Sequence, residues 1–530
     1  MRSAIDAQRE NAREQTVFAA RAVDSVAGTV FDVAVIGGGS AGLAAAAAVA
    51  ESGPCSVVVF EREEYLGGVL PQCVHDGFGL YLYGESLTGP EYAQRWASRV
   101  ANDGVQIALA STVLSVSRLA EGHTDVRGVA AARCDDSDAM GSAARSIAFA
   151  ASSPCTPDLF AVDAIGVALG GRATVYARSI VCATGCRERT RGAMQIPGGR
   201  PAGVLTAGTA QYMVNVANQM PGDKVVVLGS GDIGLIMARR MTLEGAEVRL
   251  VLGQEATGLV RNHIRCIEDF EIPLRYGWGL ASIHGYGQLQ GVTVAPLRED
   301  GSFDMSRKEY IRCNVLLIAC GLVPEREILD EAGFAADEPG LFLCGNASMP
   351  HDLVDQVTQE GICAGYDAAA YAAAITGGDA PVLPDDLAAI TKLSISEPKG
   401  RMSDIEKDVV GAMRRIVCTV CPTGCVMKVS ESGEVRGNTC SRGAEFASRE
   451  IACPTRMYTG TVIVEQGARC SLLPVRTAHP VAKAKLIDVA RACARLTARA
   501  PIHVGDAVCS DIAHTGVALL ATSSCERAEG

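Results

Sequence analysis

Residues 31–52 read FDVAVIGGGSAGLAAAAAVAES. A run of apolar residues suited to a buried strand stops at three glycines, and an alanine-rich helical stretch begins after them. Gly37, Gly39 and Gly42 give the spacing G-x-G-x-x-G at that junction. The first glycine suits a tight turn, the second lets the backbone approach a diphosphate, and the third lets the helix pack closely on the strand. Ser40 and Ala41 then open a helix whose positive end faces phosphate charge. A second strand, Cys55–Phe60, ends beside Glu61, 24 residues after Gly37, where a carboxylate can accept hydrogen bonds from ribose hydroxyls. This strand–helix–strand alternation predicts a parallel, doubly wound sheet.

The pattern recurs at residues 224–252, KVVVLGSGDIGLIMARRMTLEGAEVRLVL. Gly229, Gly231 and Gly234 repeat the spacing, with Asp232 and Ile233 in the first turn of the second helix. The position 24 residues after Gly229 is Gly253 rather than an acid, and Glu255 comes two residues late. No arginine or lysine follows at once to hold a 2′-phosphate, so NAD and NADP both stay open. The strand Asn314–Ala319 returns the chain to the first domain. The expected class is α/β, with two Rossmann-like dinucleotide-binding domains, the second inserted in the first, and a small cysteine-rich α+β domain at the C-terminus. The expected boundaries are an N-terminal extension (1–30), an FAD-binding domain (31–195 and 315–395), an NAD(P)-binding domain (196–314), a linker (396–412) and the cysteine-rich domain (413–530). A Ser/Ala/Asp-rich surface insertion is expected around Asp135–Pro157. FAD held by one domain and a nicotinamide nucleotide by the other imply hydride exchange between them.

Lysine and arginine number 48 against 60 aspartates and glutamates, a formal net charge of −12. That balance gives no electrostatic footprint for nucleic acid or for anionic membrane surfaces. Apolar runs such as Leu43–Ala50 fall short of the roughly 20 residues that span a bilayer. The first thirty residues lack a continuous apolar signal segment. A cytoplasmic protein without a membrane span is the expectation. The cysteines are uneven: eleven lie in residues 1–417 and nine in the last 113. Cys418, Cys421 and Cys425 give C-x2-C-x3-C, and Cys440 follows after fourteen intervening residues. Four thiolates in such an arrangement suit a [4Fe–4S] cluster. Tetrathiolate zinc, the alternative, prefers two C-x2-C knuckles, and only Cys418/Cys421 has that spacing. Cys453 is a substitute ligand, and Cys470, Cys493, Cys509 and Cys525 are read as packing residues.

Further segments carry a family resemblance: LGGVLPQCVHDGFGL (Leu66–Leu80), LTGPEYAQR (Leu87–Arg95), ATGCRERTRGA (Ala183–Ala193), RPAGVLTAGTAQ (Arg200–Gln211), GSGDIGLIMARRMTLEGA (Gly229–Ala246) and HDLVDQVTQE (His351–Glu360). With the glycine motifs, they make the chain resemble the pyridine nucleotide–disulfide oxidoreductase superfamily of two-dinucleotide-domain flavoproteins. The branch it resembles is the one associated with glycerol-3-phosphate dehydrogenase-like subunits. The resemblance implies FAD at Gly37, Gly39, Gly42 and Glu61, with Gly67 and Gly68 on the flavin side, Gly185 in the turn after the return strand, and Gly345-Asn346 at the ribityl-phosphate end. It also implies a dehydrogenase subunit or another redox protein as partner. Relatives usually carry Asp where this chain has Asn346, and the interval Gly333–Leu341 is shorter than the family pattern.

The same resemblance places Cys73 and His75 near the isoalloxazine ring, as a functional thiol and a proton donor or acceptor. The loop holds one cysteine rather than the reactive pair of disulfide reductases, so Cys73 also reads as a small buried hydrophobe and His75 as a structural histidine. Cys182 and Cys186 read as packing residues. His351, Asp352 and Asp355 open a helix whose N-terminus is expected to face the flavin, where its dipole would stabilise negative charge. Asp352 reads either as a cofactor-facing residue or as the N-cap.

Overall fold

The computed structural model describes residues 26–102, 104–119, 159–253, 261–335, 337–395, 413–420, 424–430, 433–467 and 472–528. Most of the N-terminal extension, the Asp135–Pro157 insertion, the 396–412 linker, Cys421 and Cys470 lie outside the described residues. The chain forms two compact units. The first comprises Met1–Gly68, Ala93–Gly185 and Pro324–Leu393, and the second comprises Val69–Tyr92, Cys186–Val323 and Ser394–Gly530.

In the first unit, β1 (Val30–Ile36), α1 (Ser40–Glu51), β2 (Val57–Phe60) and β3 (Gly171–Cys182) build the nucleotide-binding core. β1 pairs in parallel with β2, Val33 against Val57, and with β3, Val33 against Ser179. Strands Gln106–Ala108 and Leu341–Leu343 extend the parallel part beside β2 and β3. Phe160–Gly166 and Ser111–Arg118 continue from β3 as an antiparallel meander. β2 is VVVF and buried throughout, as a parallel strand covered on both faces must be. The alanines of α1 have the same origin, since Ala44 to Ala48 are all buried. The long helix Val354–Thr376 crosses α1 where Gly361 and Gly365 face Ala41 and Ala45. A Cβ on Gly361 would overlap Ala41 O and lie 2.8 Å from Ala41 Cα. Small residues on both helices permit that close approach.

In the second unit a five-stranded parallel sheet runs Val204–Thr206, Val315–Ile318, β4 (Lys224–Leu228), β5 (Glu247–Gly253) and Leu274–Tyr276. Helix α2 (Asp232–Leu243) connects β4 to β5. The antiparallel strands Trp278–His284, Gly291–Pro296 and Glu309–Arg312 form a separate sheet. The C-terminal residues add β6 (Met413–Val417), β7 (Val426–Ser430), the strand Val435–Arg436 and α3 (Ser441–Ala452). A five-stranded sheet follows, in the order Thr497–Arg499, Thr459–Glu465, Leu472–Thr477, Leu519–Ala521, Ala507–Cys509. Val69–Tyr92, expected in the FAD-binding domain, belongs to this unit.

The C-terminal residues share cores with the second nucleotide-binding fold. Val417 and Val426 pack with Val225 and Met237, and Leu243 of α2 packs with Tyr458 and Leu473. A buried ionic network joins them. Arg456 forms bidentate bonds to Asp269 (2.5 and 2.8 Å) and to Glu450 (2.8 and 2.7 Å). Arg265 reaches Glu450 at 2.5 Å, and Lys483 reaches Asp269 at 3.2 Å.

Candidate functional site

Gly37 leaves β1 at φ +108°, where a side chain is strained, and a Cβ there would overlap Ala183 O. A Cβ on Gly42 would overlap Gly37 O, which holds α1 against the turn. Gly39 is the N-cap of α1 and offers no side-chain cap. The nearest atom to a Cβ on Gly39 is Gly68 Cα at 3.9 Å. The first-turn amides of α1, at Ser40 and Ala41, thus head an open cradle without a side-chain acceptor of their own. Gly67 N–H donates to Gly38 O at 2.8 Å, which brings the Gly67-Gly68 pair across the glycine turn. Glu61 is 5% exposed; Oε2 accepts Gly38 N–H at 2.8 Å and Oε1 accepts Glu63 N–H at 2.9 Å. Burial raises its pKa despite those two bonds. Two acceptor sites stay over on its oxygens for ribose hydroxyls. Gly185 lies in the turn after β3, its carbonyl accepting Glu325 N–H.

Gly345 completes this site, since a Cβ there would stand 2.9 Å from Ala41 Cβ. Its N–H donates to Glu360 Oε2 at 2.9 Å, and the other carboxylate oxygen lies 2.8 Å from His351 Nε2. Asn346 Oδ1 accepts His351 N–H at 2.9 Å, so a bond from Asn346 to a ribityl hydroxyl would come from its NH2. The helix begins at Val354 rather than near His351, and its N-cap is Leu353 without a side-chain cap. Asp352 is therefore not the N-cap; it stands exposed one residue further out. The cradle, the buried acid and the uncapped helix fit the diphosphate and adenosine of FAD.

In the second unit Gly229 takes φ +117°, and a Cβ there would overlap Ala319 O. A Cβ on Gly234 would overlap Gly229 O, as in the first motif. Gly231 is the uncapped N-cap of α2, and a Cβ on it would meet no atom within 4 Å. That space fits a second diphosphate. The Ile233 side chain packs against the core, which leaves its backbone amide as the group that could face that space. Asp232 has a partner that the sequence does not announce: its Oδ1 lies 2.9 Å from His263 Nδ1, at ion-pair distance without hydrogen-bond alignment.

His263 opens onto a cavity of about 60 Å³ along one face of α2, lined also by His75, Asp76, Arg239, Arg240 and Cys266. The rings of His75 and His263 stand edge-on, 6.4 Å apart. Burial lowers the His75 pKa to about 4, so the ring is neutral at pH 7, with Nδ1 3.2 Å from Asp76 O. Burial would also lower His263, but the Asp232 carboxylate outweighs it and raises the pKa. Cys73 lies in the same unit, its Sγ 3.3 Å from Val69 O and 3.7 Å from Gln211 Oε1. Burial pushes this thiol up to about 12. It stays protonated at neutral pH, which favours its packing role over a reactive thiolate.

Cys418 and Cys425 face each other across the β6–β7 hairpin, whose last pair is Val417 against Val426. Cys418 N–H donates to Cys425 O at 2.9 Å, and both residues are buried. Thr439 Oγ1 lies 2.9 Å from Cys425 Sγ, which brings Cys440, the next residue, to the same end of the hairpin. Cys440 is the N-cap of α3, and the Gly443 N–H leads the contacts that lower its pKa. Cys421 lies outside the described residues. Among the described residues no group of three ligands is positioned to hold a metal ion. Cys493 is a core residue as expected, whereas Cys525 is disulfide-bonded rather than a free packing thiol.

The model of the pyridine nucleotide-disulphide oxidoreductase family matches residues 31–348, which include both glycine motifs. The chain belongs to that family. It is an FAD- and NAD(P)-dependent oxidoreductase. A family described only as a protein of unknown function (DUF1667) matches residues 441–523. Hydrogen cyanide synthase subunit HcnB of Pseudomonas protegens is 25% identical over 402 residues, 70% of this chain and 71% of that protein. HcnB of Pseudomonas aeruginosa is 25% identical over 43% of this chain, which spans about half (51%) of that relative's length. An opine oxidase subunit from Agrobacterium tumefaciens is 27% identical over 42% of this chain and 36% of its own length. Among solved structures, thioredoxin reductase of T. acidophilum is 20% identical, with a TM-score of 0.48, over 65% of this chain and 99% of its own.

In this oxidoreductase, the structure brings Gly37, Gly39, Gly42, Glu61, Gly67, Gly68 and Gly345 into one cradle. Sequence reasoning missed His263, which stands in no recognised motif, and gave no role to Ser230 and Glu360, although both lie inside the quoted segments. The Asp232–His263 pair predicts a pH dependence. The folded pKa of His263 is raised above its unfolded value of about 6.5. The pair's contribution to stability, about 1 kcal/mol or less for a half-buried pair, is therefore complete below that pH and lost as pH rises through the folded value. Asp232→Asn should lower the His263 pKa below that of a free histidine and reverse the slope. A histidine NMR titration showing the same His263 midpoint in both proteins would refute this role for Asp232.

Proposed function

We propose that this oxidoreductase holds FAD in its first unit and a nicotinamide nucleotide in its second, and exchanges electrons with a [4Fe–4S] cluster in its C-terminal domain. The observation that carries the reading is the duplicated cradle: two uncapped helix N-termini, at Gly39 and Gly231, each behind a glycine turn with room for a diphosphate. Bound there, the cofactors would supply two-electron hydride chemistry on the nicotinamide side and one-electron chemistry toward the cluster. The chain's own contribution is to fix each nucleotide by its diphosphate, to seat one adenosine ribose on Glu61, and to gather thiols at the end of the β6–β7 hairpin. Cys418, Cys421, Cys425 and Cys440 would hold the cluster. HcnB and the opine oxidase relative are both named as subunits, which supports a role beside a partner subunit; a dehydrogenase subunit or another redox protein is the partner we propose. Among the described residues no helix is long and apolar enough to cross a membrane.

Anaerobically purified protein should show flavin and a broad cluster absorbance, and NADH or NADPH should bleach the flavin. Cys425→Ser should remove iron and acid-labile sulfide while leaving the flavin content unchanged. A protein carrying zinc in place of iron would make the C-terminal domain structural and the chain a stand-alone reductase of a small molecule or thiol. A protein devoid of flavin that refuses added FAD would end the proposal.

A further inference from the structure

Each glycine motif sets its second residue against the residue that closes the second strand. In the first motif these are Gly38 and Glu61: Gly38 N–H donates to the carboxylate at 2.8 Å, and a Cβ on Gly38 would stand 3.1 Å from Glu61 Cβ. In the second motif the same two places hold Ser230 and Gly253. A Cβ on Gly253 would overlap Ser230 Oγ and stand 2.7 Å from Ser230 Cβ. The glycine and the residue that bears a side chain have changed places. Glu61 is 5% exposed and Ser230 8% exposed, so each fills the buried corner of its own motif. The corner that a strand-end carboxylate occupies in the first unit is occupied in the second by a hydroxyl that grows from the loop.

The exchange alters charge. A carboxylate at this corner accepts from the ribose 2′-hydroxyl and repels a 2′-phosphate. A serine hydroxyl both donates and accepts, so it can meet either group without electrostatic penalty. We infer that Ser230 is the specificity-determining residue of the second dinucleotide site, which takes nicotinamide nucleotides with and without the 2′-phosphate at comparable affinity. The inference rests on the reading that the second unit binds a nicotinamide nucleotide. It also explains why Gly253 is glycine. The space for its side chain is taken by Ser230 on one side and bounded by Tyr276 Cδ1, 3.4 Å from a Cβ there, on the other. An acid can return to the strand end only if the loop residue is reduced to glycine.

Titration with NADH and with NADPH of the flavin-replete full chain, its flavin reduced beforehand so that no hydride passes, followed by calorimetry, reads the ratio directly. The wild-type dissociation constants should agree within about tenfold. The double variant Ser230→Gly/Gly253→Glu restores the arrangement of the first motif and should weaken NADPH relative to NADH by about 100-fold. Ser230→Asp places the same charge from the loop side without touching Gly253, and should shift the ratio in the same direction. A wild-type preference of about 100-fold for either nucleotide overturns the inference. So does an unchanged ratio in both variants when their flavin absorbance is intact. Binding of neither nucleotide by flavin-replete wild type would instead refute the underlying reading of the second unit, and the inference would fall with it.

Discussion

Arg456→Ala should destabilise the second unit by about 3–5 kcal/mol, because it strands two buried carboxylates. Asp269 and Glu450 have side chains only 6% and 7% exposed, and Arg456 braces both with paired bonds. Arg265 and Lys483 would stay behind with one contact each, at 2.5 Å and 3.2 Å, too few to satisfy four carboxylate oxygens. Thermal unfolding should shift down by about 6 °C or more. The pH dependence supplies a sharper signature. Burial alone would raise both carboxylates, but the arginines, with Lys483 at Asp269, outweigh it and hold both below their ordinary pKa values. Their contribution is therefore present above about pH 4 and lost as pH falls through the lower folded values. In Arg456→Ala the same groups lose that support and protonate readily. The stability gap between variant and wild type should thus be widest near neutrality and narrow on acidification. A gap that stays constant from neutral to acid pH would mean that the loss comes from packing rather than charge.

Arg456 and its partners also show what the sequence could not announce. The β1–α1–β2 and β4–α2–β5 units were legible because their signals are local: glycine spacing, apolar runs of strand length, and a small-residue helix. The joining of Cys418 and Cys425 across one hairpin follows from seven residues of sequence. Contacts between distant segments have no such signal. Asp269 and Arg456 lie 187 residues apart, and His75 and His263 lie 188 apart. Asp232 reads as a nucleotide residue from its motif, yet its carboxylate is set against an imidazole from a segment with no motif at all. The missing acid at Gly253 was visible, but not that Ser230 fills its place, since that depends on where two backbones meet. Val69–Tyr92 joins the second unit although its neighbours in sequence build the first.

The two cradles should fail independently. A Cβ on Gly42 would overlap Gly37 O and stand 3.0 Å from Gly37 C and 3.3 Å from Val35 Cγ1. Helix α1 has no room to retreat from that overlap, because Gly361 and Gly365 already bring the long helix Val354–Thr376 against its other side. Gly42→Ala must therefore open the glycine turn itself and should bind FAD at least about 100-fold more weakly, a loss of about 2.7 kcal/mol, read as flavin lost from the purified protein. A Cβ on Gly234 would overlap Gly229 O and stand 3.2 Å from Gly229 C and 3.3 Å from Ala319 Cβ. Gly234→Ala should keep a full complement of flavin, yet bind NADH and NADPH about 100-fold more weakly, a loss of about 2.7 kcal/mol. The crossed result is what gives the pair its force. Flavin lost from both variants would point to general unfolding, and flavin retained in Gly42→Ala would remove the first cradle as the place where FAD is held.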